Sequence, residues 1–276
     1  LALMVRVLIL LTALLVSIIR GGNANWDSHS AHIMPLGKWS VGIFHPIRSG
    51  IKDGLELSSH PGWFFVLPNA SFKLTLVDFN SFHTATRVSF FYPTPLLKML
   101  SRKGIGGVID PNLIIPPMLG VSGSLLMSKA IYGVNTTIKS GFDFGLVFGY
   151  LDARSNIDLP IIYHRLEVFH NGWGLHAGVD LDRALIRKFR IFVDLDLKLI
   201  PDLGTKSETS YYPLRVGDYS IEHKLLLIWE HSSTFRAMIG YKLVSGDYPY
   251  GKQTRLLPYI PLIEQWLPLV ELQWLM

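Results

Sequence analysis

The sequence predicts an all-β fold, an antiparallel transmembrane β-barrel of about 12 strands with 10 as the lower count. Three observations predict it. Apolar residues alternate with small or polar ones over long segments, no uncharged apolar stretch past the N-terminus is long enough to cross a bilayer as a helix, and hydrophobic residues make up 49% of the chain.

The chain opens with Met4-Val5-Arg6 behind three residues, then an apolar run over residues 7–19. That is the layout of a signal peptide, and the small residues Gly22 and Ala24 place cleavage after Ala24, so that residues 1–24 are expected to be removed and 25–276 to form the barrel. An uncleaved membrane anchor is the alternative, opposed by Arg20 and by the shortness of the run. The chain contains no cysteine, which excludes disulfides, thiolate metal sites and a cysteine nucleophile. Mean hydropathy is +0.30, and the net charge of +5 is scattered instead of clustered, so no nucleic-acid footprint is expected.

The clearest alternation sets Phe142, Phe144, Leu146, Phe148 and Tyr150 against Gly141, Asp143, Gly145, Val147 and Gly149. Similar patterns recur over residues 173–182, 191–199, 219–230 and 235–244, with weaker copies at 39–43, 72–76 and 82–90. Strands of about 9 to 12 residues suit a tilted membrane crossing better than a soluble sandwich. The expected lipid face holds Phe144, Leu146, Phe148, Val179, Val193, Leu195, Leu225, Leu227 and Ile239, while His223 interrupts it. Trp39, Tyr150, Trp173, Trp229, Phe235, Tyr241 and Trp274 stand at strand ends, as in the aromatic girdles of such barrels.

Asn171-Gly172 predicts a two-residue hairpin pairing 162–168 with 175–181, with Glu167 opposite His176. A second hairpin through His231-Ser232-Ser233 is expected to set Trp229 beside Phe235 and Glu222 across from Lys242. Residues 92–119 do not alternate. Tyr92-Pro93-Thr94-Pro95 and the helix-like spacing of Leu96, Leu97, Met99 and Leu100 predict a short amphipathic helix and an ordered loop, in the barrel mouth or at the membrane surface.

The last strand alternates Val270, Leu272, Trp274 and Met276 with Glu271, Gln273 and Leu275 up to the end of the chain. This resembles the C-terminal strand of bacterial outer-membrane barrel proteins, although there the apolar series runs to an aromatic end and here it ends on Met276. Nearly the whole chain resembles that class, and no narrower family. The resemblance implies location in the outer membrane of a Gram-negative-type bacterium, contact with outer-membrane lipid, and handling by the barrel-insertion machinery.

By the alternation, the inward face carries Tyr163, Arg165, Glu167, His176, Asp180, Asp182, Asp194, Asp196, Lys198, Glu222, Lys224, Arg236 and Lys242. Such a lumen serves either as a selective channel lining or as a closed, salt-bridged interior. The acidic cluster of Asp180, Asp182, Asp194 and Asp196 calls for cations between its members, with Lys198, Lys224 and Arg165 available. It lacks the alternating acidic loop with a glycine turn that calcium favours, so no metal or cofactor is expected. Barrel phospholipases and lipid A deacylases place a serine two positions after a histidine on one strand, and His164, His170, His176 and His223 have none there. Glu167 with His176 only faintly resembles the acid and histidine pairs of omptin proteases. The expectation is therefore a passive or structural barrel, or a small selective pore with a charged, partly obstructed lumen. A barrel enzyme acting on lipids or peptides and a barrel that binds a partner protein stay as alternatives.

Overall fold

The computed structural model of the chain describes residues 26, 28–102, 110–151, 168–186, 188–199, 219–248, 251–257, 259–260, 265–266 and 268–276. The strands are β1 (Trp39–Gly42), β2 (Ile47–Lys52), β3 (Leu55–Ser59), β4 (Asn69–Thr75), β5 (His83–Phe91), β6 (Met118–Ile131), β7 (Val134–Val147) and β8 (Trp173–Ile186). They continue with β9 (Phe189–Leu199), β10 (Tyr219–Glu230), β11 (Phe235–Tyr248), β12 (Gly251–Leu257), β13 (Tyr259–Ile260), β14 (Gln265–Trp266) and β15 (Leu269–Leu275).

Strands β1 to β11 pair antiparallel in sequence order, β15 pairs with both β11 and β1, and the sheet thereby closes on itself. Trp39 and Met276 exchange backbone hydrogen bonds of 2.9 and 2.8 Å at the seam. β12 covers the upper half of the β11 edge, where Lys242 faces Leu257, and β15 covers the lower half, where Gly240 faces Leu269. These two are one interrupted strand, with the β13–β14 pair in the excursion between them. The result is a closed barrel of 12 antiparallel strands.

The surface is inverted relative to a water-soluble protein. Phe142, Phe144 and Leu146 are 44 to 49% exposed on the outside, whereas Asp143 between them is 8% exposed and faces in. A bilayer is the medium that such an outer wall requires, and closure through β15 joins the first strand of the sheet to the last hairpin. Phe144, Leu146, Leu195, Leu227 and Ile239 are exposed as predicted. Val193 is not, because Leu181 and Leu225 stand directly opposite it on both neighbouring strands and cover the smaller side chain. His223 is also covered, its ring 5.6 Å from that of Tyr241.

The connections differ in length at the two ends. One end carries short turns such as Asp53-Gly54 and Tyr132-Gly133, and the other carries residues 92–117 and 148–172. Tyr132 (φ 47°) and Gly133 (φ 75°) form the left-handed pair that a tight hairpin demands. The predicted hairpin across Asn171-Gly172 does not form. Leu175 and Ala177 pair with Phe142 and Ser140 on β7 and with Leu199 and Leu197 on β9, so β8 has no edge left for 162–168. Instead, residues Val168–Asn171 make a helical turn, and Gly172 (φ 85°) ends it by donating to the Val168 carbonyl. The β10–β11 hairpin is formed but pairs Trp229 with Ala237, two residues from the predicted register. A two-residue slip preserves which face each side chain occupies.

Residues 92–119 do contain a helix, Thr94–Leu100, with Pro95 in its first turn. It folds into the mouth at the long-loop end, where Leu96 and Leu97 pack with Phe91, Leu113, Met118, Val168 and Phe169 as an apolar cap. The Thr94 hydroxyl donates to the Pro116 carbonyl at 3.0 Å and accepts from the Met118 amide at 2.9 Å, tying the helix to the start of β6.

Candidate functional site

The lumen is lined by charge. Of the predicted inward residues, His176, Asp180, Asp182, Asp194, Asp196, Lys198, Glu222, Lys224, Arg236 and Lys242 all lie on the inner face of β8 to β11. Tyr163, Arg165 and Glu167 lie outside the described residues. His176 instead meets Asp143 and Ser124.

The acidic cluster is organised around a cation that the sequence reading passed over. Lys139 on β7 extends across β8, and its Nζ stands 2.9 Å from Asp180 Oδ1 and 2.7 Å from both Asp194 Oδ1 and Asp196 Oδ1. Gly178 lies in the same row between Lys139 and Asp196, and a Cβ there would stand 2.1 Å from Asp196 Oδ1. The missing side chain is what allows the lysine to reach over the strand. Lys224 binds the other oxygen of Asp194 at 2.9 Å, as expected of it, whereas Asp182 is held by Arg190 at 2.7 Å. Lys198 and Lys242 both bind Glu222, at 3.1 and 2.6 Å.

The opposite wall carries a second group. Arg48 on β2 makes a forked pair with Glu56 on β3, both bonds 2.8 Å, with Lys73 of β4 behind it at 3.6 Å. Arg48, Glu56 and Lys73 are 3% exposed or less. Sequence reading missed them because β2 and β3 are short and their alternation is broken by Ser and Gly.

The largest unforeseen feature is the segment ahead of β1. Residues 28–35 are not part of the wall; they run inside the lumen, and Trp26 is 2% exposed there. The backbone of this stretch has no strand partner of its own apart from a bridge at Leu36, so its polar groups must be satisfied by the wall. Arg48 and Arg236 donate to the Trp26 carbonyl, Arg87 to that of Ser28, and Lys73 to those of Ser30 and His32. In return the Ala31 amide donates to Ser128 Oγ at 2.7 Å and the Met34 amide to Glu56 Oε2 at 2.9 Å. Arg236 also lies 4.8 Å from the centre of the Trp26 ring, and His29 stacks 5.0 Å from Phe192. Burial, reinforced by the Lys224 ammonium and opposed by Asp194, holds the His29 imidazole well below its ordinary value.

A third arrangement lies between this segment and the apolar cap. Ser124 Oγ is 2.9 Å from His176 Nε2, and His176 Nδ1 is 3.0 Å from Asp143 Oδ2.

No protein-family model matches the chain, and no curated protein matches it. A solved structure that does match is the high pH structure of Pseudomonas putida OprB, at 8% identity and a TM-score of 0.39, over 87% of this chain. The chain spans 59% of the length of that one. The barrel itself rests on the closed strand pairing described above.

Proposed function

We propose that this chain is an outer-membrane β-barrel whose lumen is occluded by its own N-terminal segment and by paired wall charges, a closed or narrow pore instead of an open one. The carrying observation is the course of residues 28–34 through the lumen, bonded to β3, β4, β5 and β6 at once. The donors that hold its carbonyls are mostly arginine and lysine, and hydrogen bonds from charged groups are worth roughly 1.5 to 3 kcal/mol each. Twelve strands lie between the filled small barrels and the wide porins, so a chain segment across the lumen is enough to interrupt an aqueous path.

The apolar outer wall and the long loops gathered at one end suit an outer-membrane protein with its short turns on the periplasmic side. Export with removal of residues 1–24 accords with Trp26 lying inside the lumen. On this reading the barrel-insertion machinery and membrane lipid are its partners.

Single-channel recording in planar bilayers tests the proposal. The mature chain is expected to be silent or to show only small, brief steps, and deleting residues 28–35 is expected to produce larger, sustained openings. Large stable openings of the intact chain would refute the occlusion.

A further inference from the structure

Ser124, His176 and Asp143 form a hydrogen-bonded relay on the inner face. They come from three adjacent strands, β6, β8 and β7. Ser124 and His176 face the same residue, Gly141, from either side. A Cβ on Gly141 would stand 2.6 Å from His176 Nε2 and 1.9 Å from the Gly123 carbonyl oxygen, so only glycine lets the imidazole lie across β7 and reach the hydroxyl. Asp143, two residues further along β7 on the same inward face, receives the other ring nitrogen.

The order of contacts has chemical meaning. With Nδ1 protonated toward the Asp143 carboxylate, Nε2 is left as an acceptor aimed at the Ser124 hydroxyl, which is the arrangement that removes a proton from a serine nucleophile. Among the described residues, Ser128 pairs instead with Thr137 and Ser71 with Ser89. We propose that Ser124, His176 and Asp143 form the nucleophile, general base and positioning carboxylate of an acyl hydrolase that acts on small carboxylic esters inside the lumen.

In this reaction Ser124 Oγ attacks the ester carbonyl carbon while its proton passes to His176 Nε2. The tetrahedral intermediate collapses by breaking the bond to the alkoxy oxygen, which leaves as alcohol with the proton returned by His176. Water, deprotonated by the same nitrogen, then attacks the acyl-serine, releases the carboxylic acid and restores the hydroxyl. Arg87, which also donates to the Ser28 carbonyl, stands opposite Ser124 on β5 and puts a cation on the strand next to the nucleophile. Asp143 binds the ring nitrogen of the histidine that faces away from Ser124 and acts through it.

The surroundings indicate the substrate class. All three groups face inward, away from the bilayer, so an intact membrane lipid does not meet them from the side. Toward the long-loop end the same inward faces pass to Gly120, beneath Phe91, and to Gly145, beneath Val168. An acyl group leaving Ser124 in that direction meets the apolar cap within two inward positions, roughly 13 Å along the strand. The substrate of this proposal accordingly carries a short acyl chain.

The test uses the full mature barrel in detergent, a fluorophosphonate probe, and p-nitrophenyl butyrate. Covalent labelling at Ser124, located by mass spectrometry, is expected, with hydrolysis abolished in Ser124→Ala. Asp143→Asn is expected to slow labelling and hydrolysis together by about 10³- to 10⁴-fold, while unheated gel mobility shows each variant still folded. Absence of label on folded wild-type protein, or hydrolysis that survives Ser124→Ala, would overturn the proposal, and preference for phospholipid vesicles over the butyrate ester would overturn the substrate class. None of these readouts depends on conductance, so they fail independently of the occlusion.

Discussion

Replacing Lys139 with methionine keeps the length of the side chain and removes the ammonium that three aspartates share. Each contact of 2.7 to 2.9 Å corresponds to about 6 kcal/mol of attraction at an effective dielectric of 20. Desolvation of the ions offsets most of that sum, and the loss measured when one partner of a buried pair is removed is about 3 to 5 kcal/mol. Lys139 is 12% exposed, so solvent screening does little to soften the loss. Lys224 still holds Asp194, but Asp180 and Asp196 then face it without the shared cation. Lys139→Met should therefore destabilise the barrel by about 3 to 5 kcal/mol in urea unfolding followed by tryptophan fluorescence in lipid vesicles. Adding Asp180→Asn should recover part of the loss, because one of the stranded charges is gone. A variant within about 0.5 kcal/mol of wild type, or a double variant whose effects simply add, would refute a lumen held together around Lys139.

Leu195→Arg, near the middle of β9 on the outer face, should cost about 2 to 4 kcal/mol in the same assay; an unchanged midpoint would mean that this face does not meet lipid. Docking of the N-terminal segment should weaken as pH falls below 6.5, because a released His29 takes up a proton that the buried ring resists. Since the folded value is the depressed one, the stabilisation is fully present above that pH and is lost below it. Channel activity should accordingly rise between pH 7.5 and pH 5, and His29→Phe should remove the rise. Tyr132 holds a left-handed conformation and is 87% exposed, so Tyr132→Gly should leave the fold intact and raise stability by up to about 1 kcal/mol; a clear loss would show that its ring contributes contacts that outweigh the backbone strain.

The barrel was legible where alternation was clean. β8 to β11 each carry a bulky outward series and a polar inward one, so alternation alone sorts their residues onto two faces. β6 was not legible, because Leu125-Leu126-Met127 breaks the pattern. Leu126 faces inward, and the reason is a contact that no local pattern reveals: it packs on Ala31 of the segment inside the lumen together with Ala85. That segment has no periodicity of its own, since its backbone is satisfied by distant arginines and lysines instead of a ladder. The Asn171-Gly172 dipeptide carried a genuine turn signal, but the long strands on both sides of β8 outcompeted the hairpin it suggested. A search for serine beside histidine along one strand also passes over Ser124 and His176, which stand 52 residues apart and meet only through strand pairing.

The most direct test of the occluded lumen exploits the absence of cysteine. Ala31→Cys combined with Ser128→Cys places one thiol on the N-terminal segment and one on the inner wall, at positions joined by a 2.7 Å hydrogen bond. Ala31→Cys with outward-facing Leu125→Cys is the control. Mild oxidation of the folded barrel in vesicles should yield an intramolecular disulfide in the first pair and none in the second, detected by peptide mass. If the first pair stays unlinked while both thiols react freely with a small maleimide, residues 28–35 are not in the lumen and the account of a self-occluded barrel is wrong.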